Sequence, residues 1–203
     1  MGKNRRLRAK VFLNIPYDQK FEKLFLAYIA GISAFGLEPR ATLEIPSSKR
    51  RLEKILNLIA QCSYSIHDLS RVERDRTAPQ TPRFNMPFEL GLAVAHEMGA
   101  RGRGHRWFVC EAKERRLLKS LSDLNGTDPY IHGGTVVGIF RELQNIFTKP
   151  GRQPTVQQMG HIYREIRRSL PAILGRSASA SLYSATVFKE IVVVARIAER
   201  TPT

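Results

Sequence analysis

Three side chains have types and positions suited to nucleophilic or acid–base chemistry. Glu89 lies in Arg83-Phe84-Asn85-Met86-Pro87-Phe88-Glu89, where Pro87 marks the start of a helix. A carboxylate in a first helical turn is held ionised by the helix dipole and the free N–H groups there. Such a group suits a nucleophile, or an electrostatic partner for a cationic transition state, better than a general acid. Glutamate also occupies first turns for dipole reasons alone. Asp68 ends an apolar run beside His67 and Ser70. A carboxylate there can bind a sugar hydroxyl or protonate a leaving group, or simply cap a loop. Tyr17 follows the first apolar run and can orient a carboxylate, stack on a base, or be an edge aromatic.

Around these lie groups suited to holding a ligand. Ser47-Ser48-Lys49-Arg50-Arg51 leads into a helix, and hydroxyls, free N–H groups and cations are what a phosphate needs. A capped helix with a basic solvent face explains Ser48 and Arg51 equally. Arg83 and Asn85 stand ahead of Glu89 and can hold phosphate or ribose oxygens, with Met86 next to Asn85. Alternation along a strand turns His67 away from Asp68, which marks His67 as structural.

The elements that must place these residues follow from hydrophobic periodicity. Lys10 to Pro16 reads as a buried strand stopped by Pro16. Asp18 can cap a helix whose apolar face is Phe21, Leu24, Phe25, Tyr28, Ile29 and Ile32. Leu37 to Ile45 reads as a second strand. The next helix shows Leu52, Ile55, Leu56 and Ile59. Ser63 to Leu69 is a strand, Arg71 to Arg83 a charged loop with Pro79 and Pro82, and Pro87 to about Met98 a helix. Gly99 to Gly104 is a loop, Arg106 to Cys110 a strand, Arg115 to Leu121 a helix and Ser122 to Gly134 irregular. Val136 to Phe147 is a helix. After Pro150 come helices over about 156–170 and 182–200.

Residues 1–150 thus alternate strand and helix, the pattern of βαβ units around a mostly parallel sheet. Residues 151–203 form a helical extension that packs on this domain or makes an oligomer surface. In open parallel sheets ligands bind beyond the carboxyl ends of the strands. Pro16-Tyr17-Asp18, the Ser47-Ser48 segment, Asp68 to Ser70 and the approach to Glu89 are therefore expected on one rim.

The bulk numbers exclude some classes. With 203 residues, 42% hydrophobic and 25% charged, the chain is long enough for one core. No apolar run approaches the ~20 residues that span a bilayer, and Val11-Phe12-Leu13 is too short for a signal core, so a soluble cytoplasmic protein without a membrane partner is expected. Cys62 and Cys110 make no disulfide framework, and no Cys/His spacing suits zinc, so neither metal nor cofactor is implied. The net charge of +15 favours anionic partners. The basic residues are scattered, and no aromatics interleave with them as a single-strand platform requires. Nucleic acid stays open as a partner alongside nucleotides.

Three segments together carry a family resemblance: Val11-Phe12-Leu13-Asn14-Ile15-Pro16-Tyr17-Asp18, Ser65-Ile66-His67-Asp68-Leu69-Ser70-Arg71, and Arg83-Phe84-Asn85-Met86-Pro87-Phe88-Glu89-Leu90-Gly91. Over roughly the first 150 residues the chain resembles bacterial proteins related to nucleoside 2-deoxyribosyltransferases and TIR-like domains. The resemblance implies a flavodoxin-like three-layer fold and cleavage of an N-glycosidic bond in a nucleotide, deoxynucleotide or NAD. It places the nucleophile at Glu89, a base-handling aspartate loosely at Asp68 and the tyrosine after the first strand at Tyr17. It further implies a homo-oligomer, since such sites often borrow residues from a neighbouring subunit. The transferases carry another aspartate just before the nucleophile, where this chain has Arg83 and Asn85. The segment Ser122 to Asp128 is expected to form a further wall. The alternative is a non-catalytic nucleotide-sensing module.

Overall fold

A computed structural model describes residues 8–45, 50–71, 83–99, 104–114, 119, 121–124, 126–148, 151, 153–177 and 181–201. Its centre is a five-stranded sheet in the order β2-β1-β3-β4-β5, every neighbour pair parallel. The strands are β1 (Lys10–Asn14), β2 (Glu38–Ala41), β3 (Tyr64–Asp68), β4 (Arg106–Glu111) and β5 (Tyr130–Ile131). The helices are α1 (Glu22–Ala34), α2 (Arg51–Ala60), α3 (Asn85–Met98), α4 (Val136–Ile146), α5 (Val156–Arg176) and α6 (Ala185–Arg200). This is a flavodoxin-like three-layer α/β fold with added C-terminal helices.

The layers follow from which residues alternate to which face. Val11, Leu13, Ile66, Phe108 and Cys110 share a core with α1 and α4. Phe12 meets Ile55, Leu58, Ile59 and Cys62 of the α2 layer, while Val109 and Leu69 meet Met86 and Leu90 of α3. Inner strands covered on both faces need unbroken apolar runs, which is why β1 reads Val-Phe-Leu. Right-handed crossovers put α1 on one face and α2 and α3 on the other.

Two helices are buried differently from the sequence expectation. In α1, burial is continuous from Leu24 to Ser33 rather than confined to one stripe. The cause is the C-terminal extension: Met159, Ile162 and Ile166 of α5 and Val187, Phe188 and Ile191 of α6 join the same core. Each such side chain contributes ~1.5–3 kcal/mol when fully buried. In α2, the stripe toward the sheet is Ile55, Leu58, Ile59 and Cys62, and Leu52 and Leu56 stay 47% and 41% exposed. The expected face was rotated by about one residue.

The second strand is shorter than expected, because Thr42–Glu44 turns into a 3₁₀ segment whose Glu44 carboxylate accepts the Ala41 N–H at 3.0 Å and pairs with Arg40 at 2.8 Å. The stretch read as irregular contains β5, whose two residues pair with Cys110 and Glu111. Helix α5 runs on through Pro171 to Arg176, beyond the expected stop. The expected helix over 115–121 falls largely outside the described residues, as do residues 72–82 of the charged loop and the Ser47-Ser48 cap.

Gly138 is the tightest glycine. A Cβ there would overlap the His132 backbone carbonyl. The neighbouring Thr135 hydroxyl caps α4 by accepting the Gly138 N–H at 2.9 Å. A carbonyl in a hydrogen-bonded turn has little room to move, so overpacking outweighs the gain in helix propensity. Gly138→Ala is expected to cost about 2 kcal/mol or more, read as a lower denaturation midpoint in urea with an unchanged m-value.

Candidate active site

The strand order reverses between β1 and β3, so α1 and α3 leave toward opposite faces; in sheets of this order the crevice outside the carboxyl ends of these strands is where ligands bind. Asn14 and His67 are register partners at its floor. Helix α3 lines one side. Its buried residues are Met86, Glu89, Leu90 and Ala93, spaced as one core-facing stripe. Glu89 thus occupies a stripe position that is otherwise apolar.

Glu89 is the fifth residue of α3, one turn in from the start. The expected first-turn position is therefore corrected, and with it the expectation that dipole and free N–H groups hold the carboxylate ionised. The side chain is 6% exposed and has no hydrogen-bond partner among the described residues. Burial pushes its pKa up to about 7, and the Arg51 guanidinium opposes that rise.

Arg51 opens α2 and donates to the Ile45 carbonyl at 3.2 Å. The residue before it, Arg50, caps the helix in the left-handed region at φ 71°. Tyr17 stands over the end of β1, its hydroxyl 3.3 Å from both the Leu13 carbonyl and the Thr42 hydroxyl. Its ring packs on Phe25 and Tyr183. Burial holds the phenol well above its usual range; the Thr42 hydrogen bond opposes this, the Glu89 charge adds to it and Arg51 lowers it. Tyr17, Glu89 and Arg51 thus sense one another electrostatically. Tyr17 keeps its proton and is a neutral wall.

Asp68 is treated in the opposite way. It is fully buried on the α1 side of the sheet. One oxygen accepts the Ser70 N–H at 2.9 Å; the other accepts the Tyr28 hydroxyl at 2.8 Å and faces His132 Nε2 at 3.0 Å. The Gly134 N–H points at His132 Nδ1 from 3.1 Å, which puts the ring proton on Nε2, toward Asp68. Three donors account for this carboxylate, which shapes the turn after β3 and does not open onto the crevice. The expectation that it meets a base is corrected on that ground. Ser70, with its hydroxyl 3.1 Å from the same His132 nitrogen, is sealed with it.

The remaining expected residues divide. Arg83 reaches the rim, but its guanidinium is 3.1 Å from Asp18, which also pairs with Arg71 at 2.8 Å. The other Asp18 oxygen accepts the Lys20 and Phe21 N–H groups. Asn85 begins α3 and is exposed. The Met86 side chain is core, packed with Leu69, Leu90 and Val109, so only its backbone faces the crevice floor. Pro16 is buried behind Tyr17. Asp128 is exposed two residues before β5, ahead of that strand rather than at its carboxyl end. Ser48 lies outside the described residues.

Three contributors escaped the sequence reading. Asn14 ends an apolar strand with an amide, and its NH₂ donates to the Met86 carbonyl at 2.8 Å. A polar residue as the last side chain of a buried strand is the signal that marks it. Thr42 follows β2 and meets Tyr17. His132 follows β5 and carries no local pattern; only the fold brings it to Asp68. Among the described residues no group of His, Cys, Asp and Glu is arranged to hold a metal ion. No family model matches the chain, and a search of curated proteins found no match.

The buried, raised carboxyl has a consequence for stability. Its folded pKa of about 7 stands above the ordinary 4.5, so its contribution is fully present below the unfolded value and is lost as pH rises through about 7. Glu89→Gln removes the charge that must be desolvated. The variant is expected to exceed the parent in stability at pH 8 by about 1–3 kcal/mol and to match it closely at pH 5. Urea unfolding at both pH values checks this.

Proposed function

We propose that the chain is a nucleotide-binding N-glycosidase-type enzyme that cleaves the base–sugar bond of a nucleotide, deoxynucleotide or NAD, as the resemblance of its three rim segments implies. One observation carries the reading: an unpartnered carboxylate, Glu89, is buried in the core stripe of α3 beside the β1/β3 crevice. Largely buried and without a protein donor, this carboxylate has only solvent to meet its charge, and a sugar that develops positive charge at C1 supplies a closer partner.

The nucleotide lies across the strand ends with its phosphate toward Arg51 at the start of α2. The C1–N bond breaks, its electron pair leaves with the base, and positive charge grows on the sugar. Ionised Glu89 stabilises that charge or bonds to C1; water then supplies the oxygen that ends on C1, displacing the Glu89 carboxylate where it has bonded and giving up a proton to that carboxylate or to solvent. Arg51 keeps part of the Glu89 population ionised before the sugar arrives. Tyr17, held neutral, shapes the wall. The released base takes its proton from water or is a leaving group that needs none, as with nicotinamide, since Asp68 is enclosed.

That enclosure also favours a second reading. A module that binds a nucleotide without turning it over needs no acid for the leaving base, and Asp68 does not serve as one here. Unchanged ligand recovered after tight binding distinguishes the two. The basic surface suits nucleic acid as a further alternative, which predicts steep salt dependence and indifference to Glu89. No described helix is long and apolar enough to cross a membrane.

Incubation with a panel of nucleotides, deoxynucleotides and NAD, followed by chromatography, is expected to show base release that falls about 100-fold or more in Glu89→Gln. Because the ionised form acts on C1, kcat/KM is expected to rise with pH and level off above about 7. Full activity in Glu89→Gln, or no release from any substrate, contradicts the proposal.

A further inference from the structure

The floor of the crevice is built on a hydrogen-bond chain whose direction is fixed at every link. Asn14 is 3% exposed, and its NH₂ donates to the Met86 carbonyl at 2.8 Å while approaching His67 Nδ1 at 3.0 Å. An amide NH₂ only donates, so Nδ1 is the acceptor and the His67 proton sits on Nε2. That N–H meets the Ser65 hydroxyl at 2.9 Å. The hydroxyl in turn lies 3.0 Å from His105 Nε2. His105 Nδ1 faces the Cys62 carbonyl at 2.8 Å, so its proton sits on Nδ1 and Nε2 accepts from Ser65.

No link can be reversed. Turning the Asn14 amide over would set its oxygen against the Met86 carbonyl. Moving the His67 proton to Nδ1 would set it against the Asn14 NH₂. Ser65 and His67 are fully buried and His105 is 5% exposed, so water offers no substitute for a broken link. Both imidazoles are suited to a neutral chain: burial pushes His67 down to about 3, and His105 is lowered in the same way.

We infer that Asn14 is a positioning residue for Glu89: it ties the first turn of α3 to the carboxyl end of β1, and His67, Ser65 and His105 hold its amide in the one orientation that does so. Met86, whose carbonyl it grips, lies three residues before Glu89 on the same stripe. Fixing that carbonyl fixes how deeply Glu89 sits and how little water reaches it. The inference rests on the proposed role of Glu89 but not on turnover.

The test uses the full chain labelled with ¹³C at the glutamate carboxyl carbons, titrated by NMR without ligand. Asn14→Ala frees the first turn and admits water, so the Glu89 midpoint is expected to fall from about 7 by about one pH unit or more, a tenfold change in its ionisation constant. Ser65→Ala lies deeper along β3, leaves Asn14 in place and unpins the His67 proton. It is expected to move the midpoint the same way by less, and it serves should Asn14→Ala fail to fold. In base-release assays the rising limb of kcat/KM should shift to lower pH in step. A downward shift in the titration supports the inference whether or not the parent chain releases base, so it is separable from the enzymatic reading. A Glu89 midpoint unchanged in the folded variants overturns it.

Discussion

Taking a carboxylate out of water costs free energy unless protein donors replace its hydration, and the crevice of this sheet meets that constraint in two opposite ways. Asp68 receives the Ser70 N–H, the Tyr28 hydroxyl and His132, and is fully enclosed. Glu89 receives no donor among the described residues and has the Arg51 guanidinium as its counter-charge. The first arrangement stabilises the turn after β3. The second leaves a largely buried carboxyl with a raised pKa at the end of the sheet where a parallel sheet of this order binds ligands.

Much of the rest of the molecule serves to make that burial possible. Glu89 sits between Met86 and Leu90 in a stripe that packs with Leu69 and Val109, so the carboxylate is carried inward by its neighbours. Asn14 grips the same turn from β1, and its partners run back along β3 to His105. On the other face, α5 and α6 close over α1, and Tyr183 of the C-terminal extension donates to the Asp18 carbonyl at 2.6 Å. Asp18 meanwhile gathers Arg71 and Arg83, the residues that bracket 72–82. The extension is thus part of the frame around the crevice, sharing one core with the sheet.

The sheet and its rim were legible because their signals are local. Val11 to Leu13, Ile66 and Phe108-Val109 announce buried strands by composition, and alternation alone set His67 and Asp68 on opposite faces. The burial of Glu89 was not legible, because its place after Pro87 reads as a first turn open to the helix dipole. What escaped depends on contacts distant in sequence. Nothing near Asp68 says that Tyr28 and His132 will enclose it. Nothing in α1 says that α5 and α6 will bury its second face. The phase of α2 was lost because Leu52 and Leu56 satisfy the helical spacing as well as Leu58 and Cys62 do. The electrostatic state of Glu89 was misjudged by a single turn: one turn nearer the helix start it would be held ionised, and where it stands, burial dominates.

The proposed chemistry depends on Glu89 meeting positive charge on a sugar ring bound beside it. Calorimetric binding of a ribose mimic bearing a protonated ring nitrogen tests this directly, against its neutral carbocyclic counterpart. The cationic mimic is expected to bind at least about tenfold more tightly as pH rises through 7, and to lose that advantage in Glu89→Gln. Equal affinity for the two rings, or a preference for the cation that survives in Glu89→Gln, would contradict it.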